Sequence, residues 1–385
     1  MKKLFKILKI IIITLVVLVA LMYVFKVDYL ITAVRTVYFH GHKTAFLVDY
    51  KYFPNREIKK GIAQPWHIAK DYNTVKATER LESTNKELQT VAFIIIKNDS
   101  IWYESYYDGY DKDSKSNSFS MAKSVVSAAL GKAIMEGKIK SLDQKVIDFL
   151  PELKGTYKDQ VTVGDLSSMA SGLNWDEQYY SPLSIVTRAY FDKDLRKVML
   201  GLDISTKPGQ HFEYKSGDTQ LLAMVLEKAV KKPLAVYVSE KFWQPLGAEN
   251  DALWQLDHEG DGIEKAYCCI ASNARDFARF GKLYQQHGKW EGQQILDSAF
   301  VAKSIQPRFP ESPEYGYGWW LNNYRNKSMF YMRGHLGQFV IVIPEDDMII
   351  VRLGHLKGLQ TTADAHSNDF YIYVDEAYQM LGQRK

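Results

Sequence analysis

Apolar positions along this chain fall into three textures. From residue 10 to residue 25 they run unbroken except at Thr14. Between about 124 and 300 they mostly recur every three or four residues, the period of a helix with one buried face. Elsewhere they form short β-rich runs: 91–97 and 101–107 around the turn composition Asn98-Asp99-Ser100, then 315–321, 339–343 and 348–353, with Pro344-Glu345-Asp346-Asp347 turning between the last two. Helices are predicted over 220–230, 274–286 and about 363–381. Strands at both ends with helices between them predict an α+β architecture, one antiparallel sheet assembled from the chain ends and flanked by helices, with an inserted all-helical lobe at about 124–300. Residues 27–90, irregular and rich in Tyr and Phe, predict a stem packed on a body spanning 91–385.

The apolar run at 10–25 follows Lys2, Lys3, Lys6 and Lys9. As a helix it covers about 24 Å, short of a ~30 Å hydrocarbon core, but Lys9 and Lys26 can snorkel at its ends. Cleavage by signal peptidase needs a small-x-small site, whereas this run closes on Leu21-Met22-Tyr23-Val24-Phe25. Residues 1–26 therefore read as an uncleaved anchor rather than a removed signal. The lysine excess keeps the N-terminus cytoplasmic, which places the body on the outer, periplasmic or extracellular, face of the cell membrane. The formal charge of +4 belongs to this segment: five lysines precede the first acidic residue, and without them the chain is one unit negative. Nucleic acid is accordingly not expected as a partner. The two cysteines, Cys268 and Cys269, are adjacent, so no framework linking distant segments can form, and they read as buried small apolar residues.

Candidate chemistry concentrates at Ser120-Met121-Ala122-Lys123. Val125, Val126, Ala129, Leu130, Ala133 and Ile134 continue it as an apolar helix that Gly137 can stop. Positions i and i+3 share a helix face, so the Lys123 amine can reach the Ser120 hydroxyl, as an amine-activated serine nucleophile requires. An SxxK alone arises by chance roughly once or twice in a chain of this length; Ser83-Thr84-Asn85-Lys86 is such a match, and no apolar helix follows it. Two further stretches stand out. Phe212-Glu213-Tyr214-Lys215-Ser216 follows Pro208-Gly209, and Gly334-His335-Leu336-Gly337-Gln338 opens an apolar strand. A GxSxG elbow is absent, and His258-Glu259 lacks the second histidine of a zinc protease helix. His40 and His42 have no carboxylate-rich partner nearby, so they read as packing or surface histidines and no metal is expected.

Serine-lysine on a helix, Tyr-x-Ser in the helical lobe and His-x-Gly on a late strand together resemble the three motifs of class C β-lactamases, DD-peptidases and related serine hydrolases. The resemblance is closest to the 6-aminohexanoate-dimer hydrolase-like branch, covers roughly 40–380, and is supported by Leu166-Ser167-Ser168-Met169-Ala170-Ser171-Gly172 and Tyr315-Gly316-Tyr317-Gly318-Trp319-Trp320. It implies a β-lactamase/penicillin-binding-protein-like fold in which Ser120 forms an acyl-enzyme that water releases, without a cofactor. It implies Tyr214 as third catalytic member, either base or acid. The oxyanion would be held by the N–H groups of Ser120 and Gln338, with Gly337 allowing close approach, and Ser216 would hydrogen-bond the substrate. Tyr179, in the loop Trp175-Asp176-Glu177-Gln178-Tyr179, matches a family tyrosine that contacts an amide substrate. Two positions depart from class C enzymes, which carry Asn at Ser216 and Lys at His335. Imidazole, ordinarily neutral at pH 7, would offer a substrate carboxylate a cation only toward pH 6. The expected substrate is a small amide or ester. A D-peptidase, a true β-lactamase and an anchored, non-catalytic protein that binds cell-wall peptides are the alternatives.

Overall fold

A computed structural model describes residues 1–361 and 365–383. Its centre is a seven-stranded sheet in the spatial order Trp320–Tyr324, Lys327–Gly334, Gln338–Ile343, Met348–Gly354, Thr90–Lys97, Ser100–Tyr106, His67–Ile68. Every pairing is antiparallel except the last. The two chain ends meet where Val351 lies opposite Ile94. The expected hairpin forms with Asn98 and Asp99 both left-handed, at φ 49° and 59°, as the tight primed turns of hairpins require.

The central strands are apolar at nearly every position because both faces of the sheet are covered. Ile94, Ile96, Val340, Val342, Ile349 and Val351 point to one side, where the helix Ala274–Gln285 packs. Phe93, Ile95, Phe339, Ile341 and Ile350 point to the other, against Phe370, Tyr373 and Val374 of the final helix Asn368–Gly382. That helix was expected from about 363; residues 362–364 lie outside the described residues. The fold class is α+β, as expected, but the stretch 124–300 is not helical throughout. Ala252–Gln255 and Ile270–Ser272 join Asn55–Ile58 and Ser116–Asn117 in a second, four-stranded sheet. Strands of two to four residues are too short to show a period, which is why they went unread.

Cys268 and Cys269 are buried, as expected, and are also joined to each other in a vicinal disulfide. Adjacency forbids a link between distant segments but not this one. His40 and His42 pack against Tyr52 and Phe46. The N-terminal helix runs Lys2–Val24, about 34 Å at 1.5 Å per residue. It has no buried residue; among the described residues it is the one helix long and apolar enough to cross a membrane.

Candidate active site

Ser120 owes its position to the small sheet. The strand Ser116–Asn117 pairs with Ile270–Ser272, and Ser118 extends the grip, its N–H donating to the Ile270 carbonyl at 2.7 Å and its Oγ accepting from Ile270 N at 3.1 Å. Phe119 then turns into the left-handed region, φ 45°, a conformation that costs a non-glycine residue about 1–2 kcal/mol. The bond from Phe119 N to Asn117 Oδ1, 2.8 Å, helps hold it there. A single 3₁₀ turn, Phe119–Met121, carries Ser120 into the helix Ala122–Met135.

One helical turn on, Lys123 is almost completely buried. Its Nζ donates to Ser120 Oγ at 3.0 Å, to Ser216 Oγ at 3.0 Å and to the Tyr267 carbonyl at 2.8 Å. Three donors meet three acceptors, so the amine is fully coordinated without a carboxylate in direct contact. Burial pulls its pKa down to about 8, with the nearby Glu177 charge opposing and Arg333 assisting the fall. At pH 7 about a tenth of the molecules therefore carry the free base.

Ser216 begins the helix Ser216–Val230. Its hydroxyl donates to Glu177 Oε1 at 2.5 Å and its N–H to Glu177 Oε2 at 2.8 Å. The single hydroxyl hydrogen is thus committed to Glu177, and toward a substrate Ser216 can only accept. Tyr179 donates to the same carboxylate at 2.5 Å and Trp175 Nε1 at 2.7 Å. Glu177 is the residue that sequence reading missed. It sits in the loop quoted for Tyr179, but a lone loop carboxylate carries no periodicity that would mark it as a hub.

Tyr214 lies with its ring centroid 5.1 Å from Lys123 Nζ and packs on Trp320. Burial, and then the Glu177 charge, push its phenol well above the usual range, against an opposing hydrogen bond with Ser120. It is a neutral proton donor at pH 7. His335 stacks on Tyr179 with centroids 5.3 Å apart and meets Phe119 edge-on at 5.6 Å. Burial between these rings, with Lys357 adding to it, lowers its pKa to about 4. The expectation that His335 becomes a cation near pH 6 is therefore corrected: the aromatic walls keep it neutral. The cations that do line the polar cavity at Ser120, about 90 Å³, are Arg333 and Lys357. Gly337, at φ 80°, borders the same cavity; a Cβ there would come within 2.7 Å of Arg352 Nη1. Gln338 is completely buried, its side chain tying the hairpin together through the His335 and Gly354 carbonyls and Gly354 N.

On its other side Ser120 opens into a larger cavity of about 250 Å³, walled by Phe119, Tyr179, Val186, Phe191 and the helix Tyr29–Thr36. A hydroxyl, a partly free amine and a neutral phenol converge between the two chambers. That set can move a proton off Ser120 and return one to a leaving group.

The family model described as Beta-lactamase matches residues 75–370. A 6-aminohexanoate-dimer hydrolase of Paenarthrobacter ureafaciens is 26% identical over 313 residues, 73% of this chain and 78% of that protein. Protein flp of Staphylococcus aureus is 21% identical over 304 residues, 69% of this chain and 59% of its own length. Among solved structures, a Bacillus anthracis protein assigned by name as a 6-aminohexanoate-dimer hydrolase superposes with a TM-score of 0.69, at 22% identity over 86% of this chain and 91% of that one.

Proposed function

Because the chain belongs to the beta-lactamase family of serine hydrolases, we propose that it cleaves small amide or ester substrates through an acyl-enzyme on Ser120, with Lys123 as base and Tyr214 as acid. One observation carries this assignment of roles: Lys123 Nζ lies 3.0 Å from Ser120 Oγ with its pKa brought down to about 8, while the Tyr214 phenol is displaced the opposite way. Of the two groups beside the serine, only the amine can be free at neutral pH. Ser120 Oγ attacks the carbonyl as its proton passes to Lys123. Tyr214 supplies the proton that the leaving group takes and is replenished from Lys123. Water then repeats the sequence to release the acid. The backbone N–H groups of Ser120 and Gln338 would hold the oxyanion, with Gly337 presenting no side chain beside them. Glu177 positions Ser216 and Tyr179 around the amine.

The Lys2–Val24 helix serves in this reading as an uncleaved single-pass anchor, its lysines cytoplasmic and the catalytic body on the outer face.

The roles are tested with the full-length protein on acyl esters, linear amides and D-Ala-D-Ala peptides, comparing wild type with Lys123→Arg. Arginine keeps the charge but cannot deprotonate in a protein. Turnover should fall by about 10²–10⁴-fold, the usual share of a general base. An arginine variant close to wild type would show that Lys123 acts only as a charge.

A further inference from the structure

The larger cavity has a wall that small-substrate hydrolysis does not call for. Leu30, Ala33 and Val37, spaced i, i+3 and i+7 along and just beyond the helix Tyr29–Thr36, line it. Apart from the exposed Arg35, the helix is also apolar at the rim of the cavity and beyond it. Ile31 is 37% exposed, Val34 and Tyr38 at the rim of the cavity are 41% and 58% exposed, and Phe39, together with Tyr180 and Leu183 beside the Pro182 carbonyl that accepts from Tyr29 Oη, stands still more open. The helix buries Tyr29, Ala33 and Val37 in the core while Ile31, Val34 and Tyr38 stay open, an exposed apolar surface that is at home against a membrane. It begins five residues after the anchor helix ends at Val24, so Leu30 lies within about 21 Å of the end of the membrane span, even with the link fully extended. Exposed Tyr, Phe, Ile and Leu side chains are the composition that settles at a lipid headgroup boundary. Inside, no acidic or amide side chain lines the chamber among the described residues, and its lysine, Lys43, is exposed.

We propose that the substrate is an acyl amphiphile whose hydrocarbon chain passes from the bilayer into the cavity beneath the Tyr29–Thr36 helix and so presents its carbonyl carbon to Ser120. This rests on the serine hydrolase reading and gives it a substrate class. The Ser120 Oγ–acyl bond forms as the bond from acyl carbon to headgroup oxygen or nitrogen breaks. The serine proton leaves through Lys123, and the headgroup, reprotonated by way of Tyr214, departs through the polar cavity past Arg333 and Lys357. Water then frees the fatty acid and restores the serine. The two chambers at Ser120, one apolar and one cationic, match the two ends of such a molecule.

The test uses full-length protein in phosphatidylcholine vesicles with p-nitrophenyl esters from acetate to decanoate. Each buried methylene should raise kcat/KM by about fourfold over the first steps, levelling once the cavity is full. Ala33→Phe, which puts a ring into the chamber, should flatten that rise; Val34→Trp, at a partly exposed position, is the second plug should the first not fold. A flat or falling wild-type series, with acetate still turned over, overturns the acyl cavity while leaving the hydrolase reading standing. A rise that persists undiminished in the plugged variants would come from partition into the bilayer and overturns it equally. Absence of turnover at every chain length, together with no fluorophosphonate adduct on Ser120, would bring down the hydrolase reading and this inference with it.

Discussion

At the residue scale the account turns on one amine kept near neutrality without a carboxylate touching it. Lys123 must lose its proton to act, and burial brings its pKa to about 8, so activity should rise with pH along a limb centred near that value. The Glu177 carboxylate favours the charged amine. Glu177→Gln removes that support and should move the limb to lower pH while also loosening Ser216 and Tyr179. A pH–rate profile of the two proteins checks this; a limb that stays in place would show that Glu177 does not act on Lys123. Ser120, Lys123 and Tyr214 could be read from spacing because the chemistry requires those residue types in a fixed relation. Glu177 could not, since its role depends on three hydroxyl and ring donors folded around it. His335 was legible as a position but not as a state. Its neutrality at pH 6 comes from Tyr179 and Phe119, which are 156 and 216 residues distant in sequence.

At the scale of elements, the helix Ala122–Met135 is tied to the segment Tyr317-Gly318. Ser124 Oγ donates to the Gly318 carbonyl and Ser127 Oγ to the Tyr317 carbonyl, each at 2.6 Å. Gly318 has φ 79°, and a Cβ on it would fall 2.4 Å from Ser127 Cβ. Gly318→Ala should therefore cost about 1–3 kcal/mol from overpacking together with a strained backbone. Because the displaced helix carries Lys123, turnover should drop as well. Denaturant unfolding beside ester hydrolysis tests this, and a variant as stable and active as wild type would mean that the loop yields without moving the helix. The long strands and helices declared themselves through period and turn residues. The small sheet did not: its four strands come from residues 55 to 272 and are too short to carry a period, although one of them sets the serine.

Across the whole molecule the chain ends build the main sheet, the middle supplies helices, and the small sheet fixes the nucleophile where these parts meet. The α+β class followed from the order of textures along the sequence. The neighbourhood of the N-terminal helix and the active site did not, because the Tyr29–Thr36 helix is too short to announce that it walls a cavity ending at Ser120. The apolar N-terminal helix leads into the Tyr29–Thr36 helix, which walls the cavity at the nucleophile, and the nucleophile is the point on which the account depends. Peptide mass spectrometry of the full-length protein, trapped with a slow acyl ester, tests it most directly. The account predicts an acyl adduct on the peptide containing Ser120, absent from Ser120→Ala along with turnover. An adduct on Ser83 or Ser216, or undiminished hydrolysis by Ser120→Ala, would contradict it.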